Sequence, residues 1–479
     1  MKYIGLLFLL LLAFSCKEKV PDFSPQSLTV ASTLTKATTP DGKFISWKEH
    51  LIDDITISGA DLSGSDGLEM ADLDGDGYED VVSVHESDTE YDGALEGNIR
   101  IAFGSADPDQ WELISLATGK VAAAAEDIAL ADINGDGHID VLVACELAHI
   151  VYFENPGEAS REKTWKHIIP ESTTGRGSFI RVFTADLNQD GKMEIITANK
   201  GNQANDGSKP VDPEPSAISF FEVNGDPLKH ESWIEHELIK IKLPINAMPV
   251  DIDNDGDIDI IGGSRGERRL VLFENKSSHE TFEFETHSIQ IEGLDSASYV
   301  TGFCMVFLDI NHDERLDILL GENFVNLIAI EHPKSYDLPW RIKRIGSTKP
   351  DWVAGLALAD VNSDGYSDII IGGYSRGPRD KDGDVTLDKP LGKLTWFENP
   401  TNSNENWIRH DMSRRIRGMF DGFETRDLDN DGDLDLISTR GNSLPYDGVF
   451  WLEQIRSDKA IPVFIPARKE DSKEVGLVQ

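Results

Sequence analysis

The chain is poor in three things. Basic residues are the first: 45 Lys and Arg stand against 86 Asp and Glu, a formal net charge of -41. A surface that neutralises phosphates needs clustered cations, so no nucleic-acid partner is expected. Cysteine is the second, with three in 479 residues, too few for a disulfide framework. Cys145 and Cys304 lie in the apolar runs "VLVACE" and "TGFCMVF" and read as buried thiols. The third is the long apolar run. One stands at the very start, and no later segment has the length of a membrane-spanning helix. Motifs with a fixed mechanism are lacking too. There is no phosphate loop, GxSxG elbow or HExxH, and Glu146 with Glu322, a conceivable acid pair for glycoside hydrolysis, has no distinctive context.

What is present begins with "MKYIGLLFLLLLAFSC": a Lys, an apolar run from Tyr3 to Leu12, then Ala13, Phe14 and Ser15 before Cys16. That is the layout of a secretory signal. The small residues before the cysteine resemble a bacterial lipobox. The resemblance implies a lipoprotein signal over residues 1–16, a lipidated Cys16 and anchorage in a Gram-negative cell envelope, at the outer membrane or on the periplasmic side. Phe14 departs from the commonest pattern, which keeps an ordinary cleaved signal as the alternative. Residues 17–43 are polar and rich in Thr, Ser and Pro, and are expected to form a flexible tether.

The chain then repeats itself. The pattern D-x-[DN]-x-D-G-x-x-[DE] begins at Asp72, Asp132, Asp186, Asp251, Asp309, Asp360 and Asp427. An apolar strand precedes each copy ("EDIALAD") and another follows ("DVLVA"), so each copy is a hairpin loop. A third strand ends in an aromatic phrase such as "VYFENP" or "LTWFENP", and a fourth follows as in "TWKHII". Seven four-stranded units predict a seven-bladed β-propeller over residues 44–455, because radial closure hides sheet edges. "SWKEHLI", Ser46 to Ile52, is expected to complete the last blade; "AIPVFIP", Ala460 to Pro466, competes for that place. Residues 456–479 read as a C-terminal tail of a monomer.

Calcium takes six to eight oxygens from a sharply turned loop with a central glycine. Positions one, three, five and nine of each copy would supply them. The sets are Asp72, Asp74, Asp76 and Asp80; Asp132, Asn134, Asp136 and Asp140; Asp186, Asn188, Asp190 and Glu194; Asp251, Asp253, Asp255 and Asp259; Asp309, Asn311, Asp313 and Asp317; Asp360, Asn362, Asp364 and Asp368; Asp427, Asp429, Asp431 and Asp435. The fifth copy has Glu314 in place of the glycine, so its site is the doubtful one. Turn chemistry alone does not call for an acid at position nine, and that favours structural calcium over a mere turn.

These loops, with "WFENP" after them, resemble the FG-GAP or VCBS repeats of calcium-bound propellers. They are similar to seven-bladed polysaccharide lyases acting on uronate glycans such as ulvan, and to the propeller of aldos-2-ulose dehydratases. The resemblance implies a β-eliminating lyase or dehydratase acting on an acidic oligosaccharide or polysaccharide; a non-enzymatic glycan-binding or adhesion propeller is the alternative.

Function is expected on the face opposite the Asp loops. Five and six residues past position nine lie His85 and Glu86, Cys145 and Glu146, Asn199 and Lys200, Ser264 and Arg265, Glu322 and Asn323, Gly373 and Tyr374, Arg440 and Gly441. With Arg176, Arg181, Arg415 and Arg417 these suggest a basic funnel for an anionic ligand. His85, Lys200 and Tyr374 are candidates for base or acid, and Arg265 and Arg440 for carboxylate clamps. Glu146, Asn323, Arg176 and Trp352 are candidate substrate contacts; Trp352 and Tyr299 are either sugar-stacking faces or core.

Overall fold

A computed structural model describes residues 28–87, 96–161, 164–201, 213–400 and 405–478. Its strands form seven sheets, each an antiparallel four-stranded meander, two of which carry a short fifth strand paired parallel at the outer edge. Blade 1 runs Ser65–Ala71, Asp80–His85, Asn98–Phe103 and Glu112–Thr118, and blades 2 to 6 repeat this meander. Their inner strands are Ala125–Ala131, Phe179–Ala185, Pro244–Val250, Met305–Leu308 and Gly355–Ala359. Blade 7 holds Phe423–Arg426, Asp435–Arg440 and Gly448–Ser457. Phe44–Asp54 supplies its fourth strand, pairing antiparallel with Gly448–Ser457. The N-terminal segment therefore closes the ring. Phe464–Ile465 adds only a short parallel pair on the outside of that strand.

The architecture is the all-β, seven-bladed propeller that the repeat predicts. Blade faces are apolar because the second strand of each is buried on both sides. Apolar cores sit between neighbouring blades. Leu68, Met70 and Val81 of blade 1 pack with Ile437 and Trp451 of blade 7, and Val361 and Trp396 of blade 6 pack with Trp47 and Phe450 on the other side.

The two sequence phrases interlock in the blades that carry both. The ninth acid lies beyond the loop, and in six blades its carboxylate accepts from two backbone N–H groups, while Glu194 of blade 3 accepts from Leu187 N. Asp80 takes Leu73 N and Gly104 N, both at 2.8 Å; Asp140 takes Ile133 N at 3.1 Å and Asn155 N at 2.8 Å. Asn155, the Asn of "FENP", in turn donates its amide to Leu73 O of the preceding blade's loop at 2.8 Å. Asn275 repeats this to Leu187 O, and Gln454 to Val361 O. An acid at position nine thus has a structural use of its own, contrary to the expectation that only a metal would call for it.

The expected tether needs correcting over its second half. Val30, Ala31 and Ala37 are buried, Val30 N bonds to Val475 O and Thr35 N to Ile461 O. Backbone pairing to the C-terminal segment fixes residues 28–43 despite their polar composition. The tail is fixed too: Asp471 sits against Arg440 and Arg415, and Val475 N bonds to Arg414 O. The leader with Cys16, and the rest of the tether, lie outside the described residues.

Candidate functional site

A cavity of about 580 Å³ opens on the face opposite the Asp loops, at the centre of the ring. Two counting rules describe its wall. The residue six past each ninth acid faces it in five blades: Glu86, Glu146, Lys200, Arg265 and Tyr374. The residue five past points into the blade, since neighbours on a strand face opposite ways. In blades 5 and 7 the wall position slips by one, to Phe324 and Asn442. There the chain turns through left-handed residues, Asn323 (φ 52°), Phe324 (φ 62°) and Asn442 (φ 53°).

The second rule counts six back from each loop's first Asp, to the start of the inner strand. It gives Asp66, Glu126, Ile180, Phe303, Ala354 and Asp421, all on the cavity wall, and fails only for Ile245 in blade 4. Glycine permits the close approach that brings Asp421 in: a Cβ on Gly372 would lie 1.8 Å from Phe420 O. Sequence reasoning missed Asp66, Glu126 and Asp421 because it counted only forwards.

These rules sort the expected site residues. Lys200, Tyr374, Arg265, Glu146, Trp352 and Tyr299 line the cavity. His85 does not. It is fully buried, 2.7 Å from Ser65 Oγ and 3.0 Å from Ser83 Oγ, and burial pulls its pKa down to about 3. Arg440 is likewise inside blade 7, with its guanidinium 2.6 Å from Asp471 and 3.2 Å from Glu49. Asn323 lies off the wall; its Oδ1 accepts from Tyr299 N and its Nδ2 donates to Ser298. Arg176 pairs with Glu235, Arg415 with Glu49, Arg417 with Asp382, and Arg181 lies 3.5 Å from Asp127. Each is held by a carboxylate away from the wall, within its own blade or, for Arg181 and Arg415, on the neighbouring one, because in so acidic a chain an arginine finds a buried acid first.

The cavity is therefore not a basic funnel but a divided one. Blades 7, 1 and 2 bring the carboxyls of Asp421, Asp66, Glu86, Glu126 and Glu146. Blades 3, 4 and 6 bring Lys200, Arg265, Arg268, Arg376 and Arg379. Lys200 bridges the halves through an ion pair with Glu146. Burial pushes Glu126 up to about 8, with Glu146 adding to it, and holds Asp66 and Glu86 well above the usual carboxylate range. On the cationic side the aromatics are ordered. Trp352 stacks on Phe324 (5.4 Å, 25°) and on Tyr374 (5.8 Å, 25°), with Arg376 4.6 Å from its ring centre; Arg268 lies 4.4 Å from that of Tyr299.

At the other end of the ring, the loops fit a calcium ion unequally. Three carboxylates converge within 4.8 Å in blades 1, 4 and 7, through Asp72, Asp74 and Asp80, Asp251, Asp253 and Asp255, and Asp427, Asp429 and Asp435. Burial, with Asp74 and Asp76 nearby, pushes Asp80 up to about 7, the kind of strain a cation relieves. In loop 1 Arg161 already reaches Asp74 and Asp76. In the second and sixth loops Asn134 and Asn362 donate to the neighbouring Asp136 and Asp364. Loop 5 keeps the turn without its glycine: Glu314 sits at φ 69° and its N–H still bonds Asp309 Oδ2 at 2.8 Å.

The model of the FG-GAP-like repeat matches residues 72–143, 132–197 and 251–320. No curated protein matches the sequence. Among solved structures the chain is similar to an Agrocybe aegerita lectin described as recognising non-reducing terminal N-acetylglucosamine (13% identity, 88% of this chain and 99% of that one, TM-score 0.46). It is also similar to YCF48 from Cyanidioschyzon merolae (7% identity, 85% and 98%, TM-score 0.48). The chain carries FG-GAP-like repeats in a seven-bladed β-propeller.

Proposed function

We propose that the protein is a carbohydrate-active propeller that takes an acidic, uronate-containing oligosaccharide or polysaccharide into the central cavity and carries out β-elimination on it. The observation that carries this reading is the division of the cavity. Stacked Trp352 and Tyr374 offer flat faces for a sugar ring, the arginines beside them suit a carboxylate, and Lys200 and the Tyr374 hydroxyl are groups on the same wall able to carry a proton. Elimination needs a base to remove the proton beside the carboxylate, a cation to hold the resulting enolate and an acid to protonate the leaving oxygen. Arg265, with Arg376, is the clamp; Lys200 and Tyr374 are the base and acid in one order or the other. Loss of water makes the enzyme a dehydratase, and loss of a glycosyl group makes it a lyase.

The aromatic stack also favours a second reading, a glycan-binding module without turnover, and mutagenesis separates the two. In the enzyme, Tyr374→Phe keeps oligosaccharide affinity and loses product formation, whereas Trp352→Ala loses affinity. In a binding module no variant changes turnover, because there is none. The Asp loops of blades 1, 4 and 7 are read as structural calcium sites. Attachment to the cell envelope through Cys16 is the reading of the leader sequence alone.

A further inference from the structure

The densest charge on the cavity wall has no role in gripping a uronate. Asp66 and Glu86 from blade 1 and Glu126 from blade 2 are 4%, 5% and 7% exposed, and their carboxylate oxygens lie within 4.8 Å of one another. Calcium–oxygen distances of about 2.3–2.6 Å put opposite ligands about 4.6–5.2 Å apart, so one ion reaches all three. A second observation points the same way. Asp66 Oδ2 is buried on this wall without a hydrogen-bond partner among the described residues, and buried carboxylate oxygens ordinarily have one. Lys200, a cation acting on Glu126, is engaged by Glu146.

We propose that Asp66, Glu86 and Glu126 form a divalent-cation site in the cavity wall, separate from the Asp-rich loops. The separation is built into the strand. Asp66 stands six residues before Asp72, on the order of 20 Å along an extended inner strand. An all-oxygen donor set selects a hard ion such as Ca²⁺ or Mn²⁺ over zinc. Three carboxylates supply at most six oxygens, and calcium takes six to eight, so water or ligand hydroxyls complete the shell. This site goes beyond the carbohydrate reading and does not depend on it.

The test counts Mn²⁺ bound by the chelator-stripped protein, using the electron paramagnetic resonance signal of the free ion. Wild type is expected to bind one ion more than Asp66→Asn/Glu126→Gln, with the other sites unchanged. Asp72→Asn/Asp74→Asn is expected to lose a different ion and to keep this one. Equal numbers and affinities in wild type and Asp66→Asn/Glu126→Gln overturn the proposal. Should that variant fail to fold, Mn²⁺-soaked crystals of the wild type decide: an anomalous peak among the three carboxylates supports the site, and its absence there overturns it.

Discussion

Asp80→Asn separates the structural use of the ninth acid from any metal. In the native blade the carboxylate is fully buried and accepts Leu73 N and Gly104 N, one on each oxygen, at 2.8 Å. Asparagine has the same shape but one acceptor oxygen, so one of the two N–H groups comes to face an NH₂ donor. An unsatisfied buried donor costs about 1–3 kcal/mol. Because burial raises Asp80 from 3.8 to about 7, a neutral asparagine escapes the cost of the buried charge at high pH, so the expected loss of about 1–2 kcal/mol is read by denaturant unfolding near pH 4, where the folded acid is protonated. The measurement is run in calcium and in chelator. A loss that persists without calcium supports the interlock; a loss present in calcium and absent in chelator means the carboxylate works only as a ligand, and the reasoning fails.

Two further outcomes check other parts of the account. Glu314 occupies a left-handed position (φ 69°) that glycine holds in the other six loops; Glu314→Gly is expected to stabilise by about 1 kcal/mol in thermal or denaturant melts, and a neutral or negative effect would show that the Glu314 side chain contributes more than its strain costs. Burial, with Glu424 and Asp127 nearby, raises Glu69 from 4.5 to about 8. The folded chain thus holds that proton more tightly than the unfolded one, and wild type loses stability as pH rises from about 4.5 to 8. Glu69→Gln should match wild type below pH 4.5 and exceed it above pH 8 by on the order of 3–5 kcal/mol; a difference that does not change with pH contradicts the shift.

Much of the fold is legible in the sequence because the blades repeat one local solution: a hairpin loop built on Asp and, in six of seven, Gly, and in four blades an aromatic strand that ends in a side-chain amide, Asn155, Asn275, Asn399 and Gln454. The mouth was half legible for the same reason. Counting forward from Asp80 reaches both His85 and Glu86, yet only strand alternation tells which faces the cavity, and it selects Glu86. Asp66, Glu126 and Asp421 were legible by counting backwards. Less legible were the partners of the arginines. Arg440 and Arg415 meet Glu49 from the other end of the chain, a pairing created by ring closure. Residues 28–43 mislead for a related reason: their Thr and Ser look like linker, but Thr35 is buried by backbone pairing to residue 461.

The central claim is that the divided cavity takes a uronate glycan. The direct measurement is to incubate the soluble propeller with a panel of uronate oligosaccharides while following ultraviolet absorbance and product mass. The account predicts a conjugated unsaturated uronate, with loss of water or of a glycosyl group, that vanishes in Trp352→Ala. Neither binding nor product across the panel, or product undiminished in Trp352→Ala, would contradict it.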